Sequence, residues 1–221
     1  ENSGYLQKLV DDVLYIAGLE SSDTPPAMGP TDINACCLQC IKNVTFSNSR
    51  QIDILFLPAQ EKFQVHTSCL LLSKAITELL RNAVRFAADG QITLAYTLSE
   101  QNRQIVFSVT DTGPGVPASE AGHIFERFVK LDTFSQGTGL GLAICKAIIE
   151  AAGGEVGFRS QAGSGSTFWA WIPCEVGTRG RSDATDLSRP LRNAVPAGND
   201  DREMRILVAE DNDSNYSLVR H

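Results

Sequence analysis

The sequence predicts an α+β fold, a two-layer α/β sandwich in which helices cover one face of a mixed, mostly antiparallel sheet. Two observations predict it. Residues 68–87 carry apolar side chains at helical spacing, which is typical of a long helix packed on a core. Apolar runs at 92–98 and 105–110, and again at 155–159 and 166–172, flank polar or glycine-rich turns, which predicts two β-hairpins.

The segment before the long helix contains further elements. Residues 1–20 form a predicted helix whose apolar stripe has no partner within the segment, so it must pack on another helix or chain. Residues 21–31, which include several prolines and glycines, are a predicted linker. A helix over 32–46, capped by its first residue, precedes two short predicted strands at 52–57 and 63–66.

The segment between the two hairpins is mostly irregular. Residues 112–117 form a predicted turn, 123–129 a short helical piece, and 130–136 a polar stretch without regular structure. A glycine-rich loop then runs into a predicted helix over 142–152, which the glycine pair at 153–154 ends.

The C-terminal part of the chain changes in composition. Residues 174–204 are rich in Gly, Pro, Ser, Asp and Arg without a period, which predicts a flexible linker. A short apolar strand follows at 205–209, within a final segment, 205–221, that is too short to form a core. We therefore expect residues 175–221 to be loosely held, with no sheet for that strand to join. The predicted domain between the two ends is 32–173.

Composition and charge exclude several classes of function. The net charge is −7 with no basic run, which argues against nucleic-acid binding. No apolar run approaches the roughly 20 residues of a membrane span, and the N-terminus lacks a signal-peptide pattern. These features indicate a cytoplasmic domain. A membrane segment upstream of Glu1 stays open, because this residue does not resemble a natural start.

The six cysteines are interpreted as buried free thiols. Cys37 and Cys40 form a CxxC, but no second CxxC or histidine pair lies at metal-site spacing. Cys36, Cys37 and Cys40 lie among apolar residues of one predicted helix, and Cys145 lies inside another. The pattern therefore favours burial over zinc binding or redox chemistry.

Three polar residues of the long helix share one face. Glu78, Asn82 and Arg85 stand at positions i, i+4 and i+7. An acid, an amide and a cation on one stripe can orient water, give an oxygen to Mg²⁺ and contact a phosphate. A solvated helix face is the alternative, although asparagine is a poor residue for a helix interior.

Two glycine-containing motifs are candidate ligand contacts. The strand at 105–110 leads into Asp111-Thr-Gly113-Pro-Gly115, where a carboxylate can accept from an amine while the glycine backbone approaches a flat ring. An ordinary turn is the alternative. The loop at 137–141 leaves backbone N–H groups open at a helix N-terminus, which suits phosphate, although it can equally be a plain connection.

The order of these motifs resembles a known family. Glu78-Leu-Leu-Arg-Asn82, Asp111-Thr-Gly113-Pro-Gly115, Phe125-Glu-Arg-Phe128 and Gly137-Thr-Gly139-Leu-Gly141-Leu are similar to the N, G1, F and G2 boxes of sensor histidine kinases. Those boxes belong to the Bergerat-type ATP-binding fold, which DNA gyrase, Hsp90 chaperones and MutL share. Residues 1–20 resemble the second helix of the family's dimerisation hairpin, and 205–212 resemble the start of a receiver domain. The whole resembles part of a hybrid kinase.

The resemblance implies a phosphate end of the site. Asn82 would bind Mg²⁺ that bridges the ATP phosphates, and Glu78 would orient a metal-bound water or assist proton movement. Arg85 would contact phosphate, and Lys130 would be a cation of the lid over the nucleotide. The phosphate-facing edge of that lid would consist of Gly137, Thr138, Gly139, Leu140, Gly141 and Leu142.

The resemblance also implies a base end. Asp111 would accept a hydrogen bond from the adenine amine, and Gly113 and Gly115 would admit the base. Phe86 would lie against the ring, and Thr167 occupies a position that supports adenine recognition in the family. In the F box, Phe125 and Phe128 are interpreted as packing residues that anchor the lid.

Two phosphoryl acceptors of the family have no match in the chain. The acceptor histidine would precede residue 1, since His66, His123 and His221 lie in other contexts. The receiver's acceptor aspartate would follow His221, so Glu210 and Asp211 would be only its Mg²⁺-binding acids. The resemblance thus implies a kinase fragment that cannot phosphorylate itself. Its partners would be ATP or ADP, a phosphoacceptor hairpin and a receiver domain, within a homodimeric parent.

Two other functions remain open from the sequence. One is an ATP-driven conformational ATPase of the gyrase, Hsp90 or MutL kind, against which the short lid and the receiver-like tail argue. The other is a nucleotide-binding interaction module without phosphotransfer. Both would keep the ATP site and differ in what happens to the γ-phosphoryl group.

Overall fold

The computed structural model describes eight stretches of the chain, and all statements below concern these residues. They are 2–21, 27–46, 53–59, 64–87, 90–99, 103–130, 138–176 and 206–208.

Four helices form where apolar residues repeat at helical spacing. The helices are α1 (Asn2–Ser21), α2 (Ile33–Phe46), α3 (Cys69–Phe86) and α4 (Gly141–Ala151). Each lies within one or two residues of its predicted bounds. Among these helices, none has the length and hydropathy that crossing a membrane requires.

Nine strands form two sheets. The strands are β1 (Gly29–Asp32), β2 (Ile54–Leu57), β3 (Gln64–Thr67), β4 (Ile92–Ser99), β5 (Gln104–Asp111), β6 (Glu155–Ser160), β7 (Ser166–Pro173), β8 (Glu175–Val176) and β9 (Ile206–Val208). The larger sheet has the order β6-β7-β5-β4-β2-β9, and the smaller sheet has the order β1-β3-β8. All pairs are antiparallel except β2 with β4 and β2 with β9. The predicted α+β class, with a mostly antiparallel sheet and helices packed on it, is confirmed.

The core lies between the larger sheet and the helices. Helix α3 is its centre, because it contacts α2 on one side, α4 on the other, and strands β4 and β5 beneath. Its residues Ala75, Ile76, Leu79 and Leu80 are fully buried. Burial of this apolar face, at about 25 cal/mol per Å², fixes the orientation of α3 and so the direction of its polar stripe.

Two short strands form in segments that were predicted to be linkers. Strand β1 pairs with β3, and its Thr31 hydroxyl donates to the carbonyl of Thr67 at 3.3 Å. Pro30 is tolerated because β1 is an edge strand, where a missing N–H leaves no partner unsatisfied. At the other end, the Cys174 N–H donates to the Arg103 carbonyl at 2.8 Å, and β8 then pairs with β3.

The predicted helical piece at 123–129 is wrong. Residues 118–128 instead form successive turns, in which the N–H of Glu120, His123 and Glu126 each donates to the carbonyl three residues earlier. Phe128 has a φ of 66°, a left-handed conformation that a helix excludes.

The expectation that the C-terminal strand has no sheet to join is also wrong. Strand β9 pairs in parallel with β2, with Ile54 opposite Ile206 and Phe56 opposite Val208. The unpaired edge of β2 supplies the partner that sequence inspection missed. Residues 177–204 of the predicted C-terminal linker, the rest of 205–221, and with it the predicted Mg²⁺-binding acids Glu210 and Asp211, lie outside the described residues.

Candidate functional site

The polar stripe of α3 begins with a buried acid. Glu78 is only 5% exposed, and one carboxylate oxygen, Oε1, accepts from Arg81 at 2.9 Å and pairs with Lys74 Nζ at 3.3 Å. The other oxygen, Oε2, faces the start of α4, where a Cβ on Gly141 would lie 3.2 Å away. Glu78 is therefore not on a solvated helix face, and its charge is compensated as burial requires.

The next two turns of α3 carry the amide and the cation of the stripe. Asn82 is half-buried, and its amide makes no hydrogen bond within the part of the chain that the structure describes. Arg85 is half-buried too, with its guanidinium carbon 5.3 Å from the centre of the Phe86 ring, a cation–π contact. Helix α3 thus presents an amide oxygen, which can act as a metal ligand, and a guanidinium cation along one side.

Asp111 is held by backbone donors at the end of β5. It is 4% exposed, and the Gly113 N–H donates to its Oδ1 at 2.9 Å. Burial raises the pKa of Asp111, and the nearby N–H groups of Gly113 and Ser166 oppose that shift. The carboxylate is therefore fixed in position and orientation.

The turn after Asp111 lies against two other elements. A Cβ on Gly113 would be 2.6 Å from the carbonyl oxygen of Phe86, so this turn touches the end of α3. Gly115 has a φ of +75°, and a Cβ there would strike the carbonyl of Gln161 in the turn between β6 and β7. Both positions need glycine, one for close approach and the other also for its backbone conformation.

A hydroxyl network joins this turn to β7. Ser160 Oγ accepts from the Val116 N–H at 2.7 Å and donates to the Gly165 carbonyl at 2.9 Å. Thr167 is half-buried opposite Thr110, with their hydroxyl oxygens 3.0 Å apart. Thr167 therefore lies one residue along β7 from Ser166, which stands opposite Asp111 in the strand register.

The described part of the glycine loop is tightly packed. Gly139 has a φ of +71°, and a Cβ there would be 2.8 Å from the carbonyl carbon of Phe128, whose N–H donates to the Gly139 carbonyl at 2.9 Å. Leu140 is fully buried, and Leu142 packs against the core. Gly137 lies outside the described residues.

Thr138 links the loop to α1. It is 7% exposed, and its hydroxyl oxygen accepts from the Leu140 N–H at 3.3 Å and donates to Asp12 Oδ2 at 3.4 Å. Helix α1 packs on α4, as its apolar stripe required, with Ile16 buried. Burial raises the pKa of Asp12, with a further contribution from the Glu78 charge, while Lys8 lowers it.

Of the two F-box phenylalanines, Phe125 is packed against other rings and Phe128 is exposed. Phe125 packs edge-on against Phe158 and Phe168, with ring centres 6.1 and 6.4 Å apart. The Phe128 side chain is 58% exposed, so its predicted packing role is wrong for the side chain, and only its backbone contacts the loop. Lys130 is exposed, two residues beyond Phe128.

Sequence inspection missed several residues of the site. Lys74 and Arg81 flank Glu78 at i−4 and i+3, a spacing that could have revealed them as its partners. The Ser166 N–H and the Asp12 carboxylate could not have been found this way, because they reach the site through strand register and helix packing.

The fold and these residues identify a class of protein. Residues 69–176 match the sequence profile of the histidine kinase-, DNA gyrase B- and HSP90-like ATPases, so the chain carries a domain of that family.

Relatives within the family are sensor histidine kinases. The chain is 30% identical over 227 residues to the circadian input-output histidine kinase CikA of Synechococcus elongatus, covering 99% of this chain and 28% of CikA. It is 31% identical over 187 residues to the autoinducer 2 sensor kinase/phosphatase LuxQ of Vibrio vulnificus, covering 81% of this chain and 20% of LuxQ. The structure of full-length ShkA in complex with AMPPNP matches with a TM-score of 0.71 at 31% identity, over 78% of this chain and 36% of ShkA.

These matches define the domain more narrowly than the superfamily. The chain carries the ATP-binding catalytic domain of a sensor histidine kinase, as the motif order predicted. It spans only 20% to 28% of the length of these two curated relatives.

Proposed function

We propose that the parent protein is a hybrid two-component histidine kinase and that this chain donates the γ-phosphoryl group of Mg²⁺-ATP to a histidine. The observation that carries the proposal is that α3 contacts both halves of the site. Glu78 faces the first residue of α4, and Phe86 touches the turn after Asp111. Eight residues of helix separate these contacts, about 12 Å. A ligand with a base at one end and phosphates at the other fits that spacing.

The base end suits adenine. The Asp111 carboxylate, held by the Gly113 N–H, has lone pairs left to accept from an exocyclic amine. Gly113 and Gly115 keep the adjacent surface flat, and the half-buried Phe86 ring supplies apolar contact. The Thr167 hydroxyl, which is hydrogen-bonded to that of Thr110, lies near Asp111 and would support adenine recognition.

The phosphate end suits an anion with a divalent cation. The half-buried Asn82 amide oxygen makes no hydrogen bond to the described residues, and it lies one turn from the Glu78 carboxylate. Oxygen donors of this kind are those that Mg²⁺ takes, usually alongside phosphate oxygens and water. Asn82 would hold the ion, and Glu78 would orient a water bound to it. Mg²⁺, when bound, would neutralise phosphate charge.

Other residues would contact the phosphates directly. The N-terminus of α4, at Leu140, Gly141 and Leu142, offers backbone N–H groups and the positive end of the helix dipole. Thr138 and Gly139 shape the loop in front of it. Arg85 on α3 and the exposed Lys130 would supply cations, and Gly137 would complete the loop.

Phosphotransfer then requires positioning more than covalent chemistry. The residues above would align the γ-phosphoryl with an incoming imidazole and stabilise charge on its oxygens. The imidazole would come from a dimerisation hairpin of which α1 is the second helix, within a homodimer. A receiver domain that begins near residue 205 would take the group onward. These parts belong to the proposed parent protein.

A transfer assay in trans tests the proposal. The chain, a separately purified phosphoacceptor hairpin and γ-labelled ATP are mixed with Mg²⁺, and hairpin histidine is examined for acid-labile phosphate. We expect label on the hairpin and none on this chain alone. Label absent from the hairpin, with steady ATP hydrolysis by the isolated chain, would support a conformational ATPase. ATP binding with neither reaction would support an interaction module.

A further inference from the structure

Three cysteines of α2 and α3 converge on one serine. Cys36 Sγ lies 3.2 Å from Ser73 Oγ, and Cys69 Sγ lies 3.8 Å from the same oxygen. Cys40 Sγ donates to the Ser73 carbonyl at 3.4 Å. The Ser73 hydroxyl itself donates to the Cys69 carbonyl at 2.7 Å, which leaves its oxygen as an acceptor for the thiols.

Because Cys36 and Cys69 both contact the Ser73 hydroxyl oxygen, their sulfurs are close neighbours. Cys36 and Cys40 are buried, whereas Cys69, the first residue of α3, is exposed. The interpretation of all six cysteines as buried is therefore wrong for Cys69. Within the described part of the chain, no three His, Cys, Asp or Glu side chains form a metal-binding group.

We propose that Cys69 and Cys36 form an oxidation site that hydrogen peroxide converts to a disulfide joining α2 to α3. The Cys69 sulfur attacks one peroxide oxygen, the O–O bond breaks, and one water leaves, which gives Cys69 sulfenic acid. The Cys36 sulfur then attacks the Cys69 sulfur and displaces hydroxide, which leaves as a second water. Two thiols lose two hydrogens, and one peroxide is reduced to two waters.

Helix geometry decides between Cys69 and Cys40 as the disulfide partner of Cys36. Cys36 and Cys40 are four residues apart on α2, where Cβ atoms are about 5–6 Å apart. A disulfide needs Cβ atoms about 3.5–4.5 Å apart. Pairing within α2 would therefore distort the helix, whereas Cys69 approaches from a different helix.

Peptide mapping tests the site. The reduced chain is desalted, treated with hydrogen peroxide, alkylated and digested with trypsin, which places Cys36 in the peptide 9–42 and Cys69 in the peptide 63–74. We expect a mass loss of two hydrogens, these two peptides joined, and a higher Tm that dithiothreitol reverses. Fragmentation of the joined peptides should assign the bond to Cys36 rather than to Cys37 or Cys40.

Variants separate the site from general thiol oxidation. Cys69→Ser, a conservative change at an exposed position, should abolish the joined peptide. Cys145→Ser, at a buried thiol on α4, is the matched control and should oxidise at the wild-type rate. The proposal fails if Cys69 is oxidised without joining, if the bond forms within α2, or if peroxide leaves both thiols free.

Discussion

The carboxylate of Glu78 and the backbone of Gly141 face each other across the interface of α3 and α4. A Cβ on Gly141 would lie 3.2 Å from Glu78 Oε2, so a glycine at the first residue of α4 lets the acid approach the helix N-terminus. Two motifs more than sixty residues apart in sequence are thereby adjacent on one side of the site. The proposed nucleotide site depends on this contact and on the continuation of α3 to the turn after Asp111.

Asn82→Ala should abolish Mg²⁺-dependent ATP binding with little effect on folding. The half-buried amide makes no hydrogen bond to the described residues, so its loss would remove the proposed metal ligand without breaking a hydrogen bond to them. We expect an affinity loss of at least about tenfold, ~1.4 kcal/mol, by calorimetric titration. Gln39→Ala, an exposed amide on α2, is the control. Wild-type Mg²⁺-ATP affinity in Asn82→Ala would contradict the ligand role.

Asp111→Asn should weaken ADP far more than it destabilises the fold. The amide oxygen can still accept from the Gly113 N–H, but the new N–H₂ would face the donor on adenine. An unsatisfied contact of this kind costs about 1–3 kcal/mol. Titration with ADP and a melting curve measure the two effects separately. Equal ADP affinity in the two proteins would exclude Asp111 as the adenine acceptor.

Asp12→Asn should raise the Tm at pH 7. Because burial raises the folded-state pKa of Asp12 above its ordinary 3.8, the folded state retains a proton that the unfolded state loses, and stability falls as pH rises through that window. The penalty is present above the folded-state pKa and disappears below the unfolded-state pKa, where both states are protonated. The gain in Tm should therefore shrink on acidification. The control is Asp11→Asn, at the exposed neighbouring residue, which should have the wild-type Tm.

Removal of residues 177–221 should lower the Tm and leave ADP affinity unchanged. The truncation removes β9 and uncovers the edge of β2, which is two strands away from the Asp111-bearing β5. A chain that ends at Val208 keeps β9 and is expected to have the same Tm as the full chain. A loss of ADP affinity on truncation would mean that the tail contributes to the site.

The sequence predicted those parts of the fold whose signals are local. The apolar period of α3 and the alternation in β4, β5 and β7 set the main elements within one or two residues. Strands β1 and β8, of four and two residues, form because neighbouring strands offer unpaired edges, which no local pattern reports. The apolar run at 205–209 predicted β9 itself but not its pairing with β2.

In the candidate site, too, the sequence predicted what depends on local spacing and not what depends on tertiary packing. The positions of Glu78, Asn82 and Arg85 on one side of α3 follow from helical spacing, but the burial of Glu78 depends on α4. The contact between Asp12 and Thr138 joins residues far apart in sequence, so only the packing of α1 on α4 could reveal it. The functional roles of these residues stay predictions until they are measured.

Titration with Mg²⁺-AMPPNP tests the central claim most directly, because this analogue reports on base, phosphate and metal contacts without turnover. For the full chain we predict one binding site, weakened when EDTA removes Mg²⁺, weakened by Asn82→Ala, and weakened by Asp111→Asn in the presence or absence of the metal. Absence of binding, or binding that both variants and EDTA leave unchanged, would contradict a nucleotide site built on α3.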